Sequence, residues 1–151
     1  MVIYLGADHR GFVLKEAVKQ YLASQGYEVY DAGAASADPS DDFPKFAVKV
    51  ANSVAAMPGQ ARGILLCGSG TGMEIAANKV KGIRAAMALS NEQVLSSRHD
   101  DDANVLVIAA DYTAEEDAKK YLDVFIKAPF AGEERHLRRL KEIKDIEEGH
   151  V

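Results

Sequence analysis

The run Gly63-Ile64-Leu65-Leu66 passes without a polar break into Cys67-Gly68-Ser69-Gly70-Thr71-Gly72, and a helix-like segment from Met73 to Lys79 follows at once. A strand that is apolar at every position is covered on both faces, which is the situation of a central parallel strand flanked by crossover helices. The same alternation recurs along the chain. Val2 to Leu5 reads as a strand, and Leu14, Val18, Tyr21 and Leu22 then repeat at helical spacing until Gly26. Tyr27 to Tyr30 is a second strand, and Phe46, Val50 and Val54 mark one face of a second helix, broken at Pro58-Gly59. Arg84 to Leu89, the helix Asn91 to Arg98, and Asn104 to Ala109 continue the pattern. Thr113 and Glu116 have capping-box spacing at the start of a helix reaching Phe125. A charged helix from about Glu133 to Glu148 carries Leu140, Ile143 and Ile146 in one stripe. This order predicts an α/β, Rossmann-like three-layer sandwich with a five-stranded parallel sheet, right-handed crossovers and a C-terminal helix.

In such a sheet ligands gather beyond the carboxyl ends of the strands. The polar clusters are expected there, the arginines of the final helix excepted. The 151 residues fit one domain over 1–151, with no repeat or linker. A formal charge of −5 argues against nucleic acid as a partner, since duplex binding shows a basic surface. No apolar run is long enough to span a bilayer, so no membrane partner is expected. The lone cysteine cannot close an internal disulfide, and Met1 leads straight into Val2 to Leu5 without a leader pattern. The expected location is therefore cytoplasmic.

Four clusters carry candidate chemistry. The loop amides of Gly68, Ser69, Gly70, Thr71 and Gly72 make a cradle for an oxyanion. Those dipoles are expected to lower the pKa of Cys67, making it a base or nucleophile; a small core cysteine beside a tight turn is the bland alternative. Asp8 and His9 follow the first strand, in a stretch whose glycine spacing does not match a dinucleotide fingerprint. Asp8 serves equally well as a helix N-cap. Arg135 and Arg139 are i,i+4 neighbours fit to clamp a phosphate, although composition alone favours solvated charges balanced by Glu133, Glu134 and Glu142. Arg98-His99-Asp100-Asp101-Asp102 lacks the spacing of a cation-binding loop and reads as a solvated helix end. Glu74 reads as a favourable charge at a helix N-terminus.

Taken together, Gly6-Ala7-Asp8-His9, Asp42-Phe43-Pro44, Cys67 to Gly72, Ala76-Ala77-Asn78-Lys79, Gly82 to Ala86, Ser97-Arg98, Ala103 to Leu106 and Arg135 to Arg139 resemble the type B ribose-5-phosphate isomerases. That group includes the galactose-6-phosphate isomerase subunits, and the matching pieces run in its order along the chain. The resemblance implies an aldose–ketose isomerase that works through an enediolate without metal or other cofactor. It acts on a sugar phosphate as a homodimer with sites completed across the subunit interface. By that analogy Cys67 moves the proton between C1 and C2, while Gly68 to Gly72 with Ser69 hold the developing charge. Asp8 contacts sugar hydroxyls, and His9, Arg135 and Arg139 bind phosphate. The chain departs from the pattern at Asp100 and Asp101, where the family has a ring-opening histidine and an asparagine. It departs again at Asp111, in place of an arginine, and at Phe43, in place of a tyrosine. Ring opening then falls to His99 or to an Asp100 of raised pKa. The substrate expected is ribose 5-phosphate; the alternatives are galactose 6-phosphate, allose 6-phosphate, a tetrose phosphate, an unphosphorylated sugar, or a non-catalytic binding subunit.

Overall fold

Side-chain alternation along two central strands sets the layers of the computed structural model, which describes residues 1–150. In β3 (Ala61–Cys67) Ile64 and Leu66 face one way and Leu65 and Cys67 the other; in β5 (Val105–Ala109) Leu106 and Ile108 oppose Val105 and Val107. On one face they meet Val18 and Leu22 of α1 (Phe12–Ser24), Val94 of α4 (Asn91–His99), and Leu122 and Phe125 of α5 (Glu115–Lys127). On the other they meet Val50 and Val54 of α2 (Phe43–Ala55), with Met73 and Ala77 of α3 (Thr71–Ala77). Burying a large aliphatic side chain on either face contributes about 1.5–3 kcal/mol.

Five parallel strands form the sheet, in the order β2-β1-β3-β5-β4, with β1 at Val2–Ala7, β2 at Glu28–Asp31 and β4 at Ala85–Met87. The chain leaves β1 for β2 on one side and later returns to β3 on the other. The crevice between the carboxyl ends of β1 and β3 is therefore the topological switch point, the usual ligand position in an open α/β sheet.

Several boundaries differ from the sequence expectation. β2 starts one residue later. Arg84 falls outside β4 because its amide donates to Asn104 Oδ1 at 2.8 Å. Leu89 falls outside because its amide donates to Gln93 Oε1, while Ser90 caps α4 by accepting from the Gln93 amide. The capping box at Thr113 and Glu116 does not form. Ala114 is the N-cap of α5, and Glu115, Glu116 and Asp117 place their carboxylates in the first turn instead. The final helix, α6 (Glu134–Glu147), buries only His136, and the stripe ends at a 62% exposed Ile146.

Candidate active site

Asp8 and Cys67 arrive at the switch point as neighbours, because the register pairs Ala7 with Leu66. Asp8 is 5% exposed, and its Oδ1 accepts the amides of Arg10 and Gly11, each at 3.0 Å. It therefore locks the loop after β1 and does not cap α1, whose N-cap is Gly11. Its Oδ2 is the oxygen left for a ligand. His9 Nδ1 lies 2.6 Å from Asp41 Oδ1.

Cys67 ends β3 at 5% exposure, packed into the layer that holds Val50 and Met73. Burial pushes its thiol up from the ordinary range; amide hydrogen bonds from Met73 and Gly70 oppose the rise, as does the Arg10 cation, while the Asp8 charge adds to it. The expected lowering of the pKa is thus overturned. The amide dipoles are present, but the cost of ionising a buried sulfur exceeds their help. Gly70 takes φ +78° at the turn into α3, and a side chain there would also strike Met87. Thr71 and Gly72 open the helix, so their amides have no carbonyl partner within it. Ser69 and Thr71 line a cleft of about 430 Å³ beside Met87, Ala109 and Tyr112. Glu74 Oε1 accepts the Met87 amide at 3.0 Å, which makes it a clip between α3 and β4.

The remaining expected residues lie elsewhere. β5 runs in parallel with β3, and Cys67 pairs with Ala109 at its far end. His99, Asp100 and Asp101 precede β5, so they stand at the opposite, amino edge of the sheet from Cys67. This corrects the placement of that cluster at the carboxyl ends. The start of α6 docks at the same amino edge: the His136 ring meets His99 edge-on at 5.9 Å, and its Nε2 is 3.7 Å from Asp100 Oδ1. Arg135 is there paired to Glu133 at 2.9 Å, and Arg139 lies one turn further along the helix. A single chain therefore brings together Asp8, His9 and the Cys67 loop, but not His99, Asp100, Asp101, Arg135 or Arg139.

Asp100 also differs in its ionisation. A hydrogen bond from His99 at 2.7 Å, together with the nearby His136, holds its carboxyl below the ordinary range. It is no carboxylic acid of raised pKa. Asp102 binds Arg84 and Arg98 at 2.8 Å each, so the acidic run diverges and does not converge on one point.

Two residues beside Asp8 escape a reading of motifs, Asp41 and Arg10. Asp41 holds His9, Arg10 lies across Gly68, and Asp111 pairs with Arg10. Ligand atoms of Asp8, His9 and Asp41 lie within 4.8 Å of one another, but Nδ1 of His9 is already bonded to Asp41.

An open parallel sheet with a thiol, a carboxylate and a glycine-rich turn in its switch-point crevice defines an α/β enzyme of small polar substrates. The Ribose/Galactose Isomerase family profile matches residues 3–143. The probable ribose-5-phosphate isomerase B of Mycoplasma genitalium is 38% identical over 141 residues, 93% of this chain and 92% of that protein. The ribose-5-phosphate isomerase B of Mycobacterium tuberculosis is 37% identical over 150 residues, 99% and 92% of the two chains. Among solved structures, the Mycoplasma genitalium isomerase B with bound ribulose-5-phosphate superposes with a TM-score of 0.94 at 37% identity, covering 97% of this chain and 96% of that one. The Clostridium thermocellum isomerase B gives 0.93 at 39% identity over the whole of both chains. The chain belongs to the Ribose/Galactose Isomerase family and is an enzyme of its ribose-5-phosphate isomerase B branch. Among the described residues, no helix is long and apolar enough to cross a membrane.

Proposed function

We propose that this protein interconverts ribose 5-phosphate and ribulose 5-phosphate through an enediolate, as a homodimer whose sites draw on both subunits. The observation that carries the reading is the side-by-side placement of Asp8 and Cys67 under a loop with unpaired amides at Thr71 and Gly72. The Cys67 thiolate takes the proton from C2 of the open-chain aldose, and the electron pair moves onto the C1 oxygen. The thiol returns the proton to C1, the proton of the C2 hydroxyl passes to the C1 oxygen, and C2 becomes the ketone carbon. A positioned base contributes about 10²–10⁴-fold to such a step, and one oxyanion donor roughly 10²–10³ more. Asp8 Oδ2 orients a sugar hydroxyl, and His9 meets the phosphate.

His99, Arg135 and Arg139 then enter from the partner subunit. Their position at the amino edge of the sheet supports this, as does the exposed apolar face of α6, with Leu137 at 53% and Ile143 at 40% exposure. His99 is the ring-opening group, with Nε2 free of its bond to Asp100. Asp101 is its neighbour at the sugar.

Asp111 beside the glycine loop favours one rival, an isomerase of a different sugar or sugar phosphate, because its pairing with Arg10 leaves no net positive charge there for a phosphate. A panel of ribose 5-phosphate, galactose 6-phosphate, allose 6-phosphate, a tetrose phosphate and free ribose separates the two. The proposal predicts the highest kcat/KM on ribose 5-phosphate. A higher value on another member supports the rival, and ligand-induced stabilisation without turnover on any member supports a non-catalytic binding subunit.

A further inference from the structure

Arg10 has no part in the scheme above, yet its positive charge acts on the Cys67 thiol. Its backbone amide is tied to Asp8 Oδ1 at 3.0 Å, which fixes where the side chain begins. Its guanidinium then crosses Gly68 so closely that a Cβ on that residue would overlap it. Beyond Gly68, Nη2 pairs with Asp111 Oδ2. Asp111 is itself fixed, because its amide donates to the Gly68 carbonyl at 3.0 Å. The arginine, the glycine and the aspartate thus make a closed ring on the residue that follows Cys67.

Stability does not account for this arrangement. The two side chains are 55% and 34% exposed, and exposed ion pairs contribute little to folding. A guanidinium carries five N–H donors, and the bond to Asp111 leaves donors free on its other edges. The charged groups facing Cys67 are Asp8 from the end of β1 and Arg10 from the following loop. From α3 and the Gly70 that caps it come the amides of Met73 and Gly70, while Glu74 is turned to Met87. Asp111, after β5, acts through Arg10. The Arg10–Asp111 pair is neutral overall, which suits the partial charge that appears on one sugar oxygen better than a phosphate dianion.

We propose that Arg10 is a catalytic residue of this site. Held across Gly68 by Asp111, its guanidinium donates to the substrate oxygen that becomes negative while Cys67 carries the proton. Asp111 is its positioning residue. The assignment rests on the isomerase reading, and it extends the oxyanion donors from the glycine loop to a side chain.

The test uses the intact protein with R10Q, R10K and D111N. Two readouts are compared: kcat and KM on ribose 5-phosphate, and the pH midpoint for alkylation of Cys67 by iodoacetamide without substrate. R10Q is expected to lower kcat by about 10²–10³, with KM changed less than threefold, and to move the alkylation midpoint to higher pH. R10K restores the midpoint but not kcat, because an ammonium supplies the charge without the fork. D111N lowers kcat about tenfold while moving the midpoint to lower pH, since it frees the cation and loosens its aim. Wild-type turnover with R10Q within threefold in kcat, or an unmoved midpoint in R10Q, overturns the Arg10 assignment alone. Absence of wild-type turnover on any sugar overturns both it and the isomerase reading.

Discussion

His9 Nδ1 lies 2.6 Å from Asp41 Oδ1, and the same oxygen accepts the His9 backbone amide at 3.2 Å. Asp41 is 5% exposed in its side chain, whereas His9 is 28% exposed. A buried carboxylate thus fixes both the ring orientation and the tautomer of a histidine at the edge of the site, leaving Nε2 for the ligand. D41N keeps the shape but loses the charge-assisted bond. KM for ribose 5-phosphate is expected to rise about tenfold with kcat within threefold, the pattern of lost uniform binding. Steady-state kinetics check this; an unchanged KM contradicts it.

Burial raises the Cys67 thiol above its ordinary range, despite the amides of Met73 and Gly70. Only the thiolate takes a proton from carbon. Log kcat/KM should therefore climb with slope near one from about pH 7 to pH 9. A profile already flat by about pH 7 contradicts the raised thiol.

Cys67 and the Arg135–Arg139 pair stand at opposite edges of one sheet, so a site that uses both, as proposed, draws on two chains. C67A and the double variant R135A/R139A are each expected to be inactive alone. Mixed and allowed to exchange subunits, they should recover about one quarter of wild-type activity, since half the dimers are mixed and each of those holds one intact site. No recovery, with exchange verified by mass spectrometry, contradicts shared sites.

Lys15 is 1% exposed, with Nζ bonded to Asp31 at 2.7 Å and to the Ala34 carbonyl at 2.8 Å. Burial alone would raise the Asp31 pKa. The Lys15 and Lys19 ammoniums and the Gly33 amide outweigh it, and the carboxyl is held below its ordinary range. A group so depressed contributes stability above its unfolded pKa, about 3.9, and loses it as pH falls through the folded value. K15A leaves the Ala34 carbonyl without its buried partner and Asp31 with Lys19 and the Gly33 amide alone, and should cost about 1–3 kcal/mol near neutral pH. It should also lose stability less steeply below about pH 4 than the wild type does. Thermal or urea unfolding at both pH values measures it.

The parallel sheet and its layers were legible because Gly63 to Leu66 and Val105 to Ala109 are apolar throughout, a pattern that only a doubly covered strand tolerates. The neighbours Asp8 and Cys67 were legible too, since each follows a recognisable strand. The pKa of Cys67 was not legible, because the sequence shows the glycine dipoles but not the depth of the sulfur. Asp41 and Arg10 were missed for a related reason. Each acts through a contact with a distant segment, His9 across 32 positions and Asp111 across 101. The edge on which His99 and Asp100 stand was misplaced, although strand direction alone decides it, since they precede β5.

The central claim is proton transfer by Cys67 at the sheet's switch point, and C67A tests it most directly. With ribose 5-phosphate to ribulose 5-phosphate conversion followed at saturating substrate, the variant should remain folded and lose at least about 100-fold in kcat. A folded C67A protein within about threefold of wild type would contradict the account.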